Sequence, residues 1–75
     1  MNETPKRETV VKRLRTLYKD YQFLSKKKLA HDKESNKWRC MTKSQHAIGF
    51  AINTILDVYQ DMDIQNDDFH GAASK

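Results

Sequence analysis

The chain is 75 residues long, 32% charged and 37% apolar, with two Gly, one Pro and one Cys. That balance excludes a collagen-like repeat, a disulfide scaffold and a low-complexity linker, and leaves room for one small helical domain. No apolar run approaches the roughly 18–20 residues of a membrane span, the opening MNETPKRE lacks the apolar centre of a secretion signal, and a lone Cys fits a reducing compartment, so a cytoplasmic protein is expected. A chain this short buries only about 60% of its unfolded surface. Close helix packing or a second chain must then supply stability, and no enclosed catalytic pocket, enzyme activity or cofactor is expected.

The net charge of +4 conceals an asymmetry: residues 1–44 hold thirteen Lys and Arg against five acids, whereas residues 45–75 hold one Lys against five Asp. Such a division points to nucleic-acid contact, to an acidic tail, or to attraction between the two segments within the fold or across a dimer.

In chain order, Thr4 and Pro5 form a plausible helix start, a capping hydroxyl followed by a residue that needs no N–H in the first turn. Val10, Leu14, Leu17, Tyr21 and Leu24 then recur at spacings of four and three, with Val11 and Tyr18 widening the stripe, and predict a helix over 5–29. Ala30–Met41 reads as a polar connection of 12 residues. Thr42-Lys43-Ser44-Gln45 matches the capping-box pattern, and Ile48, Ile52, Ile55, Tyr59 and Met62 extend a second helix over 43–62. Gly49 inside that helix suggests close approach of another backbone or ring, since Gly costs about 1 kcal/mol relative to Ala there. Residues 1–64 are read as one helical domain and 65–75 as a mobile acidic tail.

Projected at 100° per residue, the apolar residues of the second helix, among them Ala47, Ala51, Ile55, Val58 and Met62, span about half the circumference, more than one partner helix can cover. Either Trp38, Ile64 and Phe69 fold over the excess, or a second copy does. The expected architecture is an all-α, two-helix antiparallel hairpin pairing as a homodimeric four-helix bundle.

Two outward faces carry the functional expectations. On the first helix Lys12, Arg15, Lys19 and Lys26 stand in one line with Lys27 and Phe23 beside it. Lys33, Lys37 and Arg39 extend the patch into the connection. Cations so spaced can neutralise successive phosphates, and an exposed aromatic can stack on a base, although a solvated charged face, or burial of Phe23 in a dimer, accounts for the same residues. On the second helix Phe50 projects among Asn53, Asp57 and Asp61, an aromatic anchor framed by acids that suits a basic protein partner, or a ring packed under the Trp38 loop.

Other motifs fail on spacing. Asp61, Asp63 and Gln65 alternate as in a calcium loop, but the places of the turn Gly and the bidentate Glu hold Asn66 and Ala72. Cys40, His31, His46 and His70 lack the paired short spacing of a zinc site, and Cys40 beside Trp38 reads as a buried small apolar residue. The connection is too long for a helix-turn-helix, and the second helix presents Asp outward. The sequence therefore points to a small non-enzymatic binding or regulatory protein, an adaptor or inhibitor working through helix 43–62. The alternative is a non-specific DNA- or RNA-binding regulator using the basic stripe and loop 33–39. No metal and no membrane partner is expected.

Overall fold

The computed structural model describes residues 5–70, which form helix α1 (Arg7–Lys28), helix α2 (Asn36–Val58), a 3-10 turn at Gln60–Met62 and a short helix α3 (Asn66–His70), with no strand among them. The chain is an all-α hairpin. Its antiparallel register is fixed by contacts along its length: Arg7 reaches the carbonyl oxygen of Met62, Leu14 packs with Ile52, and Tyr21 and Ser25 meet Gln45.

In α1 most of the stripe lies where its spacing places it, with Val10, Val11 and Leu14 buried and Leu17, Tyr18 and Leu24 half-buried, but Tyr21, expected on the inner face, is 38% exposed. Thr4, the expected cap, lies outside the described residues. Lys6 occupies the cap position without a side-chain bond. Glu8 in the first turn and Lys26, Lys27 and Lys28 in the last complement the helix dipole.

α2 begins seven residues earlier than the capping-box pattern predicts, which shortens the connection from twelve residues to the seven of Leu29–Ser35. Ser35 is the working cap: its backbone is extended and its Oγ accepts the N–H of Trp38 at 3.2 Å. Thr42 and Gln45 are therefore mid-helix. Thr42 Oγ1 donates back to the carbonyl oxygen of Trp38 at 2.9 Å, the usual arrangement of a hydroxyl inside a helix. Gln45 points inward and is only 4% exposed. Its Nε2 donates to the carbonyl oxygen of Tyr21 at 3.0 Å and to Ser25 Oγ at 2.7 Å, while its Oε1 accepts from Lys28 Nζ at 2.8 Å. Every polar atom of the side chain is thus engaged, and an amide can be buried at little cost only in that state.

At its far end α2 stops at Val58, and the 3-10 turn carries the chain to Met62. Asp63 then adopts a left-handed conformation with φ 53°, which a short polar side chain tolerates better than most. This reverses the chain and lays α3 against α1. The expected mobile tail over 65–75 is thereby corrected for 66–70, while 71–75 lie outside the described residues. Phe69 is 1% exposed and joins Val10, Leu14 and Ile52 in the core. A single ring brings enough apolar area to dock a segment whose composition is otherwise polar. Arg7 reinforces the docking, with Nε donating to the carbonyl oxygen of Met62 at 3.1 Å and Nη2 to Asp68 Oδ2 at 2.8 Å.

Gly49 has a different role from the one expected, since a Cβ there would meet nothing within 4 Å. Gly49→Ala should accordingly raise stability by about 0.5–1 kcal/mol. Phe69→Ala should lower it by about 3–5 kcal/mol, and Gln45→Ala by about 1–3 kcal/mol through stranding its partners. Urea titrations followed by far-UV circular dichroism measure all three.

Candidate functional site

Because α3 packs on one side of the hairpin, the two sides of α1–α2 differ. On the α3 side Phe69 and Ile64 complete the core, and the rings of Tyr18 and His70 stack with centroids 3.9 Å apart. On the other side α1 and α2 frame an open groove of about 610 Å³, lined by Pro5, Thr9, Val10, Thr16, Leu17, Ile55 and Tyr59, with Lys12 and Arg13 as its charged members. Of the residues predicted to form a dimer or core seam, Ile55 and Met62 pack partly against the core, Ala51 is half-buried, and Ala47 and Val58 are exposed, the latter at 62%. Within one chain they form no single core. The hairpin covers only the half of the α2 arc nearest α1 and α3.

The outer edge of α2 bears Phe50, which is 74% exposed, with Asn53, Asp57 and Asp61 also exposed. Packing of Phe50 under the Trp38 loop is therefore excluded, because Trp38 belongs to the first turn of α2 instead. The earlier helix start also places Arg39, Lys43 and His46 on the line that leads to Phe50, at spacings of four, three and four. The edge is basic on one side of the ring and acidic on the other. Cys40 is exposed as a free thiol, not buried as its neighbour Trp38 suggested.

The basic stripe is exposed throughout at Lys12, Arg15, Lys19, Phe23, Lys26 and Lys27, as are Lys33, Lys37 and Arg39. The fold nevertheless divides it. The C-terminal acids return to the first half of α1, where Arg7 pairs with Asp68 and Arg15 Nη2 donates to the Asp68 carbonyl oxygen at 3.3 Å. Residues 5–18 and 47–70 together hold five Lys and Arg against six acids, whereas residues 19–46, at the connection end, hold eight against three. Arg7–Asp68 is the one ion pair among the described residues, so the lysines of the connection end have no carboxylate partner there. Two of them lie instead over aromatic rings, Lys27 at 5.2 Å from the Phe23 centroid and Lys28 at 4.3 Å from that of Trp38.

The Lys28–Gln45–Trp38 cluster and the exposed Lys43 escape the sequence pattern because the capping-box match at Thr42–Gln45 places the helix start seven residues too late. The discriminating signal is Ser35 ahead of Trp38, Met41, Gln45 and Ile48, which share one helix face when the cap is placed there. Among the described residues no group of three or more His, Cys, Asp or Glu is placed to hold a metal ion, and no helix is long and apolar enough to cross a membrane. No family model, no curated protein and no solved structure matches this chain.

The Asp68 carboxyl is held below the ordinary carboxylate range. The main cause is the Gln65 N–H that its Oδ2 accepts at 2.8 Å, opposed by partial desolvation and reinforced by Arg7 and Arg15. A depressed pKa means that the contribution to α3 docking is complete above the unfolded carboxylate range and is lost as pH falls through the folded value. Docking should therefore hold on acidification until below the ordinary range, and Asp68→Asn should loosen it already at neutral pH. Ring-current shifts of Tyr18 and Phe69 in NMR spectra report either outcome.

Proposed function

We propose that this chain is a small non-enzymatic binding protein that acts through protein–protein contacts of α2, first with a second copy of itself and then with a basic protein partner. The observation that carries the reading is the open side of the hairpin. There Leu17, Ile55, Tyr59, Ala51 and Val58 form an apolar surface that neither α3 nor the connection covers. Among the described residues only Val10, Val11, Leu14, Ile52 and Phe69 are buried apolar ones within one chain, a small core for a domain of this size.

A second hairpin fits that surface on three grounds. The groove and the Val58 ridge adjoin on one side of the molecule, so a two-fold axis can seat the ridge of each copy in the groove of the other. The small side chains of Ala47 and Ala51 allow close helix approach. Unlike charges meet at the margins, because α1 presents Lys12 and Arg13 beside the groove while Asp57 of α2 and Asp61 of the 3-10 turn lie on the far side of Val58. The result is the four-helix bundle. Its outer edge keeps Phe50 beside Asn53, Asp57 and Asp61, an aromatic anchor and two carboxylates without a cation within ion-pair distance among the described residues, suited to a basic surface.

Sedimentation equilibrium at micromolar concentration should give twice the 8.8 kDa mass of one chain. Val58→Asp, at a position exposed in the single hairpin, should give a folded species of half that mass. Ile55→Asp should destabilise fold and dimer together. A monomeric parent chain, or a dimer indifferent to Val58→Asp, overturns the pairing. For the second partner, a protein captured from cell extract by the parent chain should be lost with Phe50→Ala and with Asp57→Lys but kept with Lys6→Ala. Capture that ignores Phe50 and Asp57 overturns that part of the reading.

A further inference from the structure

At the connection end of the hairpin a second groove, of about 320 Å³, lies among Ser25, Lys28, Leu29, His31, Lys33 and Trp38. We infer that this groove binds single-stranded nucleic acid, with an unpaired base stacked on the face of the Trp38 indole opposite the one Lys28 covers and the adjacent phosphates held by Lys28 and Lys33. The inference does not depend on the pairing of hairpins or on the Phe50 edge.

Three observations converge on it. Charge is the first. Folding collects the C-terminal acids at the far end, and residues 19–46 retain eight Lys and Arg against Asp20, Asp32 and Glu34, with no ion pair among them. A surface so biased attracts polyanions and loses that attraction with salt.

The second is the way Lys28 is held. Its Nζ lies 4.3 Å from the Trp38 ring centroid and donates at 2.8 Å to Gln45 Oε1, whose amide nitrogen is already committed to the Tyr21 carbonyl oxygen and Ser25 Oγ. The amine is thus fixed over an aromatic face by a neutral acceptor. It keeps its full charge and two further N–H donors for a phosphate oxygen. A carboxylate in the place of Gln45 would have cancelled that charge.

Repetition of the pattern is the third. Phe23, 59% exposed, sits with Lys27 at 5.2 Å on the outer face of α1 at the same end of the molecule. Two aromatic rings, each with an amine over one face and the other face left for a base, match a strand whose bases are free to turn outward one after another, since stacking on an aromatic ring is open to every base. A duplex hides those faces within its own stack, and a lipid surface offers phosphate without a flat partner for the rings.

Trp38 is the only Trp of the chain, so its fluorescence reports on this groove alone. A 15-mer of thymidylate added at low salt should quench it to saturation, and the apparent affinity should fall steeply as salt rises. Lys28→Ala and Lys33→Ala should each weaken binding about tenfold and lower the salt slope by about one, while Lys6→Ala at the opposite end leaves both unchanged. Anisotropy of a labelled strand extends the test to the ring itself: Trp38→Ala should lose at least about fivefold in affinity, and Trp38→Phe should recover most of it. Far-UV circular dichroism on each variant separates loss of binding from loss of fold. The Val58→Asp variant should bind the strand through the same groove, so failure of dimerisation does not mimic failure here. No quenching by the strand overturns the inference. So does equal quenching by the corresponding duplex or by phosphatidylglycerol vesicles, and so does binding indifferent to Lys28, Lys33 and Trp38.

Discussion

The docking of Phe69 between α1 and α2 sets the layout of the rest of the molecule. Its ring touches the side of the hairpin at Leu14 and Ile52, and to reach that place the chain must reverse at Asp63 and lay Asn66–His70 along the first half of α1. The apolar gain of one buried aromatic is a few kcal/mol, a large share of the stability of so small a domain. Without it the C-terminal acids have only exposed, screened charge attraction to hold them, which is worth little by itself.

From that docking follow both a division of charge and a division of surface. The acids are fixed beside Arg7 and Arg15, so a sequence dipole between N- and C-terminal segments becomes a spatial one between the two ends of the hairpin. The end formed by the first half of α1 and by α3 is close to neutral and the connection end is basic. At the same time α3 occupies one side of the α1–α2 pair and leaves the other uncovered. Two of the proposed binding activities lie on what α3 does not touch: the largely apolar side groove, flanked by Lys12 and Arg13, for a second hairpin, and the basic turn for a nucleic-acid strand. Because the two use different residues, they are compatible within one molecule.

Gln45 is the second determinant of the connection end. Buried amides are tolerated where each polar atom finds a partner, and here the partners come from three positions of α1, Tyr21, Ser25 and Lys28, which bind the two helices in register near the turn. An apolar residue could have supplied the packing. It would have left Lys28 free to swing into solvent, and the amine over Trp38 would lose its fixed position. The polar seam thus serves register and presentation of charge together, as buried polar groups do when fully satisfied.

Much of the fold was legible in the residues. The four-three rhythm of Val10, Leu14, Leu17 and of Ile48, Ile52, Ile55 determined two long amphipathic helices and their inner faces, because that periodicity depends only on helix geometry. The exposure of Lys12, Arg15, Lys19 and Lys26 within one chain agrees with their place on the face opposite the stripe, whereas Lys28, on the apolar side, is half-buried. Local pattern failed at the start of α2, where Thr42–Gln45 and Ser35 both satisfy a capping rule. The longer helix prevailed by capping at Ser35 and placing Trp38, Met41 and Gln45 on the inner face. At Phe69 the sequence left two outcomes open, closure over the helices together with Ile64 or a place in a mobile tail, and no periodicity chose between them; in the structure both residues fold onto the core. Only tertiary packing decided those two points, since each turns on contacts between residues 17 to 59 positions apart, Lys28 with Gln45 and Val10 with Phe69. The sequence by itself determined which faces are apolar and which are charged. The tertiary structure decided which of them remain open.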